Sequence, residues 1–226
     1  MKINLIIDFD STFITGESLE WLAEEALKSK PHNEQKKILS QIEEITRNGM
    51  EGKLSFEESL RQRLALFKPS KSHIDQLVKR IENSLTPSFE KNREFIQQNA
   101  PNIYIVSGGF HEYMDQVLET FSILKQNISA NSFIFDGDLV DGFDSTNVLS
   151  KSQGKIEAVR AMNLDGKVIV IGDGYTDYEI VAKGAGDFFI AFTENIYRGF
   201  VNEVHHIEAQ SFDEVMAFYR RYVKKE

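Results

Sequence analysis

Cysteine is absent from this 226-residue chain, which excludes a disulfide framework, a thiolate metal site and a cysteine nucleophile. A surplus of positive charge is also missing. Lys+Arg number 26 against 35 Asp+Glu, a formal net charge of −9, and no basic run breaks that balance, so neither nucleic acid nor an anionic membrane is an expected partner. No apolar segment approaches the roughly 20 residues needed to span a bilayer, and the chain starts directly with a strand-like run. There is no internal repeat and no low-complexity stretch. A soluble, cytoplasmic protein is expected, long enough for one sizeable core plus an accessory piece.

What is present is organised around Ile3-Asn4-Leu5-Ile6-Ile7-Asp8-Phe9-Asp10-Ser11-Thr12. A short β-branched apolar run bounded by polar residues reads as a buried strand that delivers Asp8 and Asp10 to its C-terminal end. If the backbone stays extended, residues two apart point the same way, so both carboxylates face one site while Phe9 turns inward. Two like charges so close call for a cation, a proton or an anionic group to manage them.

From residue 13 the texture turns helical. Amphipathic spacing predicts helices over 17–27, 34–45, 56–67 and 74–81, with Gly49 to Gly52 as an interruption and Ser55 with Glu58 as a capping box. Four helices without a strand imply a helical insertion over residues 13–83, leaving 1–12 and 84–226 as the main body. There, Pro87 opens a helix to about Gln98. Strands at 103–106, 168–171 and 188–191 then alternate with helices at 111–121, 155–162 and 175–182, and a last helix ends in Arg220-Arg221. An antiparallel excursion is expected at 133–140. This rhythm predicts an α/β fold, an open three-layer sandwich with a mainly parallel, Rossmann-like central sheet.

Ligands of open parallel sheets bind beyond the carboxyl ends of the strands. Three strands end in polar or glycine-rich turns: Asp8 and Asp10, then Ser107-Gly108-Gly109, then Gly172-Asp173-Gly174-Tyr175-Thr176-Asp177. If the three strands are neighbours, their acids, hydroxyl and glycine amides suit a magnesium-bound phosphate ester. Mg²⁺ takes hard oxygen ligands, for which Asp8 and Asp173 are the choice. Ser107 and the amides of Gly108 and Gly109 would donate to phosphate. Lys155, opening a helix after Gly154, would supply a fixed cation, with Lys151 as competitor. Asp177 would support the metal site or cap its helix. Asp8 can attack phosphorus itself, with Asp10 handling protons for the leaving alcohol and the attacking water.

In this order, Asp8-Phe9-Asp10-Ser11-Thr12, Ser107-Gly108-Gly109, Gly154-Lys155 and Gly172-Asp173-Gly174-x-x-Asp177 resemble the four motifs of the haloacid dehalogenase superfamily. More narrowly the chain is similar to its phosphoserine phosphatase branch. Met50-Glu51-Gly52-Lys53-Leu54-Ser55-Phe56 and Ser59-Leu60-Arg61-Gln62-Arg63 look like that branch's helical cap. The resemblance implies that Glu17 and Arg63 bind the amino and carboxylate groups of serine, and that Met50 and Phe56 shield the site. A zwitterion calls for one acid and one guanidinium. It further implies Asp8 as nucleophile and Asp10 as proton handler, Asp10 also offering its backbone carbonyl to Mg²⁺. The implied substrate is a small phosphorylated metabolite, L-phosphoserine before other phosphomonoesters.

Two departures stand out: Thr176 where many members carry Asn, and a 131–153 segment longer than in compact forms. A phospho-acceptor receiver domain also combines an Asp, a hydroxyl and a Lys around Mg²⁺, but it is shorter and lacks the helical insertion. A phosphate-binding module without catalysis would be expected to have lost Asp8, Asp10 or Asp173. Adjacent His205 and His206 would point to opposite faces of a strand and share no metal.

Overall fold

The computed structural model describes residues 2–50, 53–204 and 207–223; the side chains of Met50, Tyr222 and Val223 are outside that description. His205 and His206, and Glu51 and Gly52, fall outside the described residues. In chain order the elements are β1 (Ile3–Ile7), α1 (Ser18–Leu27), α2 (His32–Met50), α3 (Phe56–Phe67), α4 (Lys71–Glu82), α5 (Pro87–Lys91), α6 (Arg93–Asn99), β2 (Ile103–Phe110) and α7 (His111–Glu119). They continue as β3 (Ile128–Asn131), β4 (Phe133–Asp136), β5 (Leu139–Phe143), α8 (Gly154–Ala161), β6 (Lys167–Gly172), α9 (Tyr175–Ala182), β7 (Phe188–Phe192), β8 (Ile207–Ala209) and α10 (Phe212–Val223).

Six strands form one parallel sheet in the order β3-β2-β1-β6-β7-β8. The central strand β1 lies between β2 (Ile7 opposite Ile105) and β6 (Ile7 opposite Ile171). The carboxyl-terminal ends of the three strands, which carry the acids and glycines, therefore lie side by side. Alternating side chains of β1 feed two apolar clusters: Ile3, Leu5 and Ile7 join Phe89, Tyr113 and Phe212 on one face, and Ile6 joins Ile156, Val159 and Ile180 on the other. Helices cover both faces, which is why the buried strands read as continuous apolar runs.

Helices α1 to α4 follow one another with no strand between them and pack together, α1 on α4 and α2 on α3. Leu22, Leu60, Leu77 and Ile81 form their core, continuous with the first sheet cluster. Ser55 accepts a hydrogen bond from the Glu58 amide at 3.1 Å and so caps α3. The segments entering and leaving the four helices run together: Ile14 pairs antiparallel with Leu85, and Thr86 N donates to Phe13 O at 3.0 Å. No described helix is long and apolar enough to cross a membrane.

Three details depart from the sequence expectation. Helix α2 continues through Gly49 instead of stopping before it. The single helix expected over 87–98 is broken at Asn92 (φ −104°, ψ 22°), giving α5 and α6. Strands β3 and β8 are too short, at four and three residues, for periodicity to reveal them. The excursion after β3 is the antiparallel pair β4–β5, and it reaches the helical layer, Val140 N donating to Pro69 O at 2.8 Å and Lys71 N to Asp138 O at 2.9 Å.

Candidate active site

The floor of the crevice forms where β1 and β6 end. Asp8 N donates to Ile171 O at 2.9 Å, extending the strand ladder by one residue. The chain then enters a tight turn over Phe9–Phe13 in which Phe9 is wholly buried and Ser11 adopts a left-handed φ of 54°. Asp10 is presented by this turn rather than by an extended strand. Its Oδ1 accepts from Ser18 N at 2.8 Å, at the first residue of α1. The inward Phe9 agrees with the alternation argument, but the common direction of the two carboxylates does not come from strand periodicity.

Asp8 Oδ2 lies 2.8 Å from Lys155 Nζ, and the same ammonium lies 2.8 Å from Asp177 Oδ1. Asp177 Oδ2 also accepts from Gly174 N at 3.1 Å. A Cβ at position 172 would fall 2.3 Å from the Asp177 carboxylate carbon, so only glycine lets that acid fold back against the strand end. Asp173 completes the group, accepting from Thr12 Oγ1 at 3.3 Å and from Arg198 Nε at 2.5 Å. Oxygens of Asp8, Asp173 and Asp177 lie within 4.8 Å of one another, and all three residues are buried.

This crowding dominates the electrostatics. Burial, then the charge of Asp8, pushes the Asp177 carboxyl up to about 8. The same two causes raise Asp173, with Arg198 pulling the other way. Asp10 is raised well above the usual carboxylate range by burial and by Glu17. Burial alone would lower Lys155, but the Asp177 and Asp8 carboxylates outweigh it and hold the ammonium above the ordinary lysine range. Three buried carboxylates whose oxygens crowd within 4.8 Å of one another form an all-oxygen donor set that fits a hard divalent cation such as Mg²⁺.

At the end of β2, Ser107 is buried and its Oγ accepts from Gly109 N at 3.0 Å. Gly108 lies under the ring of Phe56 from α3, where a Cβ would come within 3.0 Å of Phe56 Cζ. Thus the helical layer reaches over Ser107–Gly109, which lie within β2, at a register irregularity between Val106 and Phe110, and not in the turn after the strand that the sequence predicts. Asn131, at the end of β3, donates to Gly108 O at 2.9 Å.

The wall facing the helices is a pocket of about 360 Å³ whose lining includes Ser11, Glu17, Glu20, Arg63, Asn195 and Arg198. Glu17 Oε1 accepts from Ser11 Oγ at 2.8 Å and from Arg198 Nη2 at 3.2 Å. Arg63 donates through Nε to Ser59 O at 3.3 Å, and no described carboxylate lies within ion-pair distance of it. Burial lowers its pKa against the opposing charges of Glu20, Glu17 and Asp10. A larger depression of about 610 Å³, lined by Glu25, Lys28, Gln76, Lys79 and Arg80, is open surface that holds none of the crevice acids.

The sequence candidates therefore separate. Lys155 touches Asp8 and Asp177, and Asp173 lies within 4.8 Å of those two acids, with Asp10 on the turn after β1 and Ser107, Gly108 and Gly109 in the last part of β2. Glu17 and Arg63 share the pocket, and Phe56 lies over Gly108. Thr176 is exposed in the first turn of α9, Lys151 is exposed before α8, and the Met50 side chain lies outside the described residues. Sequence reasoning missed Arg198 and Asn195. Both follow β7, whose carboxyl end opens on the same side as those of β1 and β6, and that position was the available signal.

Residues 5–181 match the family described as haloacid dehalogenase-like hydrolase. The chain is 33% identical to the chloroplastic phosphoserine phosphatase of Arabidopsis thaliana over 190 residues, 82% of this chain but 61% of the plant protein, which is less than two thirds of its length. It is 32% identical to the phosphoserine phosphatase of Mus musculus over 196 residues, 84% of this chain and 81% of that one. A phosphoserine phosphohydrolase-like protein from Francisella tularensis subsp. tularensis SCHU S4 has a similar structure. The TM-score is 0.81 at 34% identity, covering 96% of this chain and 99% of that chain.

Proposed function

This chain belongs to the haloacid dehalogenase-like hydrolases and is a phosphatase of their phosphoserine phosphatase-like branch, and we propose on that premise that it hydrolyses L-phosphoserine to serine and phosphate. The observation that carries the proposal is one crevice with two chemistries. Its floor couples Asp8 to Lys155 at 2.8 Å within a buried acid cluster, and its wall brings Glu17 and Glu20 together with Arg198, which pairs with Glu17, and with the half-buried Arg63, which has no ion-pair partner among the described residues.

In this reading Asp8 Oδ attacks phosphorus as the ester P–O bond breaks, giving an aspartyl-phosphate. Lys155 holds the attacking carboxylate in place and offsets phosphate charge. Ser107, whose Oγ is held by the Gly109 amide, and the Gly108 amide donate to the phosphoryl oxygens. Asp10, whose carboxyl is raised well above the usual carboxylate range by burial and by Glu17, gives a proton to the departing serine oxygen and then takes one from the water that cleaves the aspartyl-phosphate. Asp8, Asp173, Asp177 and the Asp10 carbonyl would hold Mg²⁺, which supplies Lewis-acid neutralisation of phosphate charge.

Arg63 takes the substrate carboxylate with its planar fork, and Glu17 takes the ammonium. Phe56 and Met50 exclude water. Residues 13–83 act as a cap on a core made of 1–12 and 84–226, and Thr176 lies at the phosphate end. The reaction is the last step of serine synthesis, and a cysteine-free phosphatase acting on a small metabolite suits the cytoplasm. The test is phosphate release from L-phosphoserine with Mg²⁺. Saturable turnover is expected, abolished by EDTA, and lowered at least about 10³-fold by Asp8→Asn. Undiminished turnover in Asp8→Asn would sink the nucleophile assignment.

A further inference from the structure

The segment after β7 belongs to none of the four motifs, yet Asn195 within it is densely bonded. Its Nδ2 lies 3.1 Å from Ser11 O, 3.3 Å from Thr12 O, 3.2 Å from Ile14 O and 2.7 Å from Thr86 Oγ1. An amide nitrogen carries two hydrogens, so its donations are shared among clustered acceptors. Those acceptors come from both chain crossings, Ser11, Thr12 and Ile14 on the way into the helices and Thr86 on the way back. Thr86 Oγ1 in turn donates to Thr12 O at 2.7 Å. One side chain thus closes a ring around the turn that follows the nucleophile.

That turn is strained at one point. Ser11 holds a left-handed φ of 54°, a conformation that a residue with a Cβ keeps only where its surroundings impose it. The constraints are visible: Ser11 N donates to Gly16 O at 2.9 Å, Ser11 Oγ to Glu17, and Asn195 fastens the Ser11 carbonyl from outside the turn. The direction of the preceding Asp10 carboxyl, toward Ser18 N, follows from this conformation.

We propose that Asn195 is a positioning residue for Asp10, holding the turn in the shape that aims the proton donor at the leaving oxygen. The inference rests on the assignment of Asp10 as proton donor in the preceding subsection. In the step concerned, the Asp8–phosphorus bond forms, the ester P–O bond breaks with its electron pair left on the ester oxygen, and the Asp10 proton passes to that oxygen. Asn195 touches none of these atoms. Its effect should therefore depend on how much the leaving group needs a proton.

The experiment measures kcat/KM with Mg²⁺ on substituted phenyl phosphates, from the phenol ester to the p-nitrophenol ester, for wild type, Asn195→Ala and Asn195→Asp. Asp has the shape of Asn without its donors. The expected result is a steeper dependence on leaving-group acidity in both variants. The phenol ester is slowed about tenfold or more relative to the nitrophenol ester, which leaves as a stable anion. Because each ratio is taken on one preparation, misfolded protein cancels from it, and these esters lack the groups that Glu17 and Arg63 read. Equal slowing of all esters, or no slowing, overturns the inference while the phosphatase reading stands. Wild type inactive on every ester overturns both.

Discussion

The floor and the wall of the crevice solve different problems. The floor gathers Asp8, Asp173, Asp177 and Lys155 on two strand ends and two helix starts, the three acids buried and within 4.8 Å of one another and Lys155 touching two of them. The wall is assembled from α1, α3 and the segment after β7, and its pocket is open to solvent, with Glu17 and Arg198 both partly exposed. Charge crowding makes the floor a place for a cation and a phosphoryl group. Sparse, oppositely charged side chains make the wall a place for a zwitterion. In the proposed reading reaction type belongs to the floor and substrate choice to the wall, and Arg198 joins the two through Asp173 and Glu17.

The largest separable effect is expected at the floor. Lys155→Ala removes the one described cation that touches both Asp8 and Asp177, and turnover should fall by about 10²–10³ on every phosphate ester alike. Melting of the metal-free variant should drop by several degrees, as two buried acids lose their counter-ion. Mg²⁺ should recover the melting temperature but not the turnover. A variant that discriminates among esters would break the division between floor and wall.

A smaller effect concerns pH and metal together. Asp10, Asp173 and Asp177 hold protons more tightly folded than unfolded, Asp177 up to about 8 against an unperturbed 3.8. Without metal the folded state therefore binds more protons than the unfolded one, and stability falls as pH rises through this window. Mg²⁺ replaces those protons. The Mg²⁺-induced rise in melting temperature should accordingly be several degrees greater near pH 8 than near pH 6. A rise independent of pH would argue that these acids do not hold the metal.

The two regions also differed in how far they could be read from sequence. The floor was legible because its acids sit on short motifs that follow buried apolar runs, which a parallel sheet sends to one side, and because Lys155 opens the helix that leads into β6. The sheet order placed β1 between β2 and β6, as those motifs required. Glu17 and Arg63 carry no such local signature, and only a family resemblance singled them out. Arg198 and Asn195 were invisible because their function depends on contacts more than 100 residues away in sequence, Asn195 to Ser11 and Arg198 to Glu17 among them. The left-handed Ser11 was hidden for another reason: serine gives no hint of positive φ, so the period-two argument ran past the point where the strand stops.

The central claim is that the wall, through Arg63, selects the amino-acid ester that the floor then cleaves. Its most direct test compares kcat/KM for L-phosphoserine and for phosphoethanolamine, which lacks only the carboxylate, in wild type and Arg63→Ala. Wild type should prefer phosphoserine by about 10²-fold or more, because a half-buried guanidinium left without its carboxylate penalises the analogue. Arg63→Ala should lose that preference by slowing on phosphoserine alone. An unchanged preference in the variant would contradict the account.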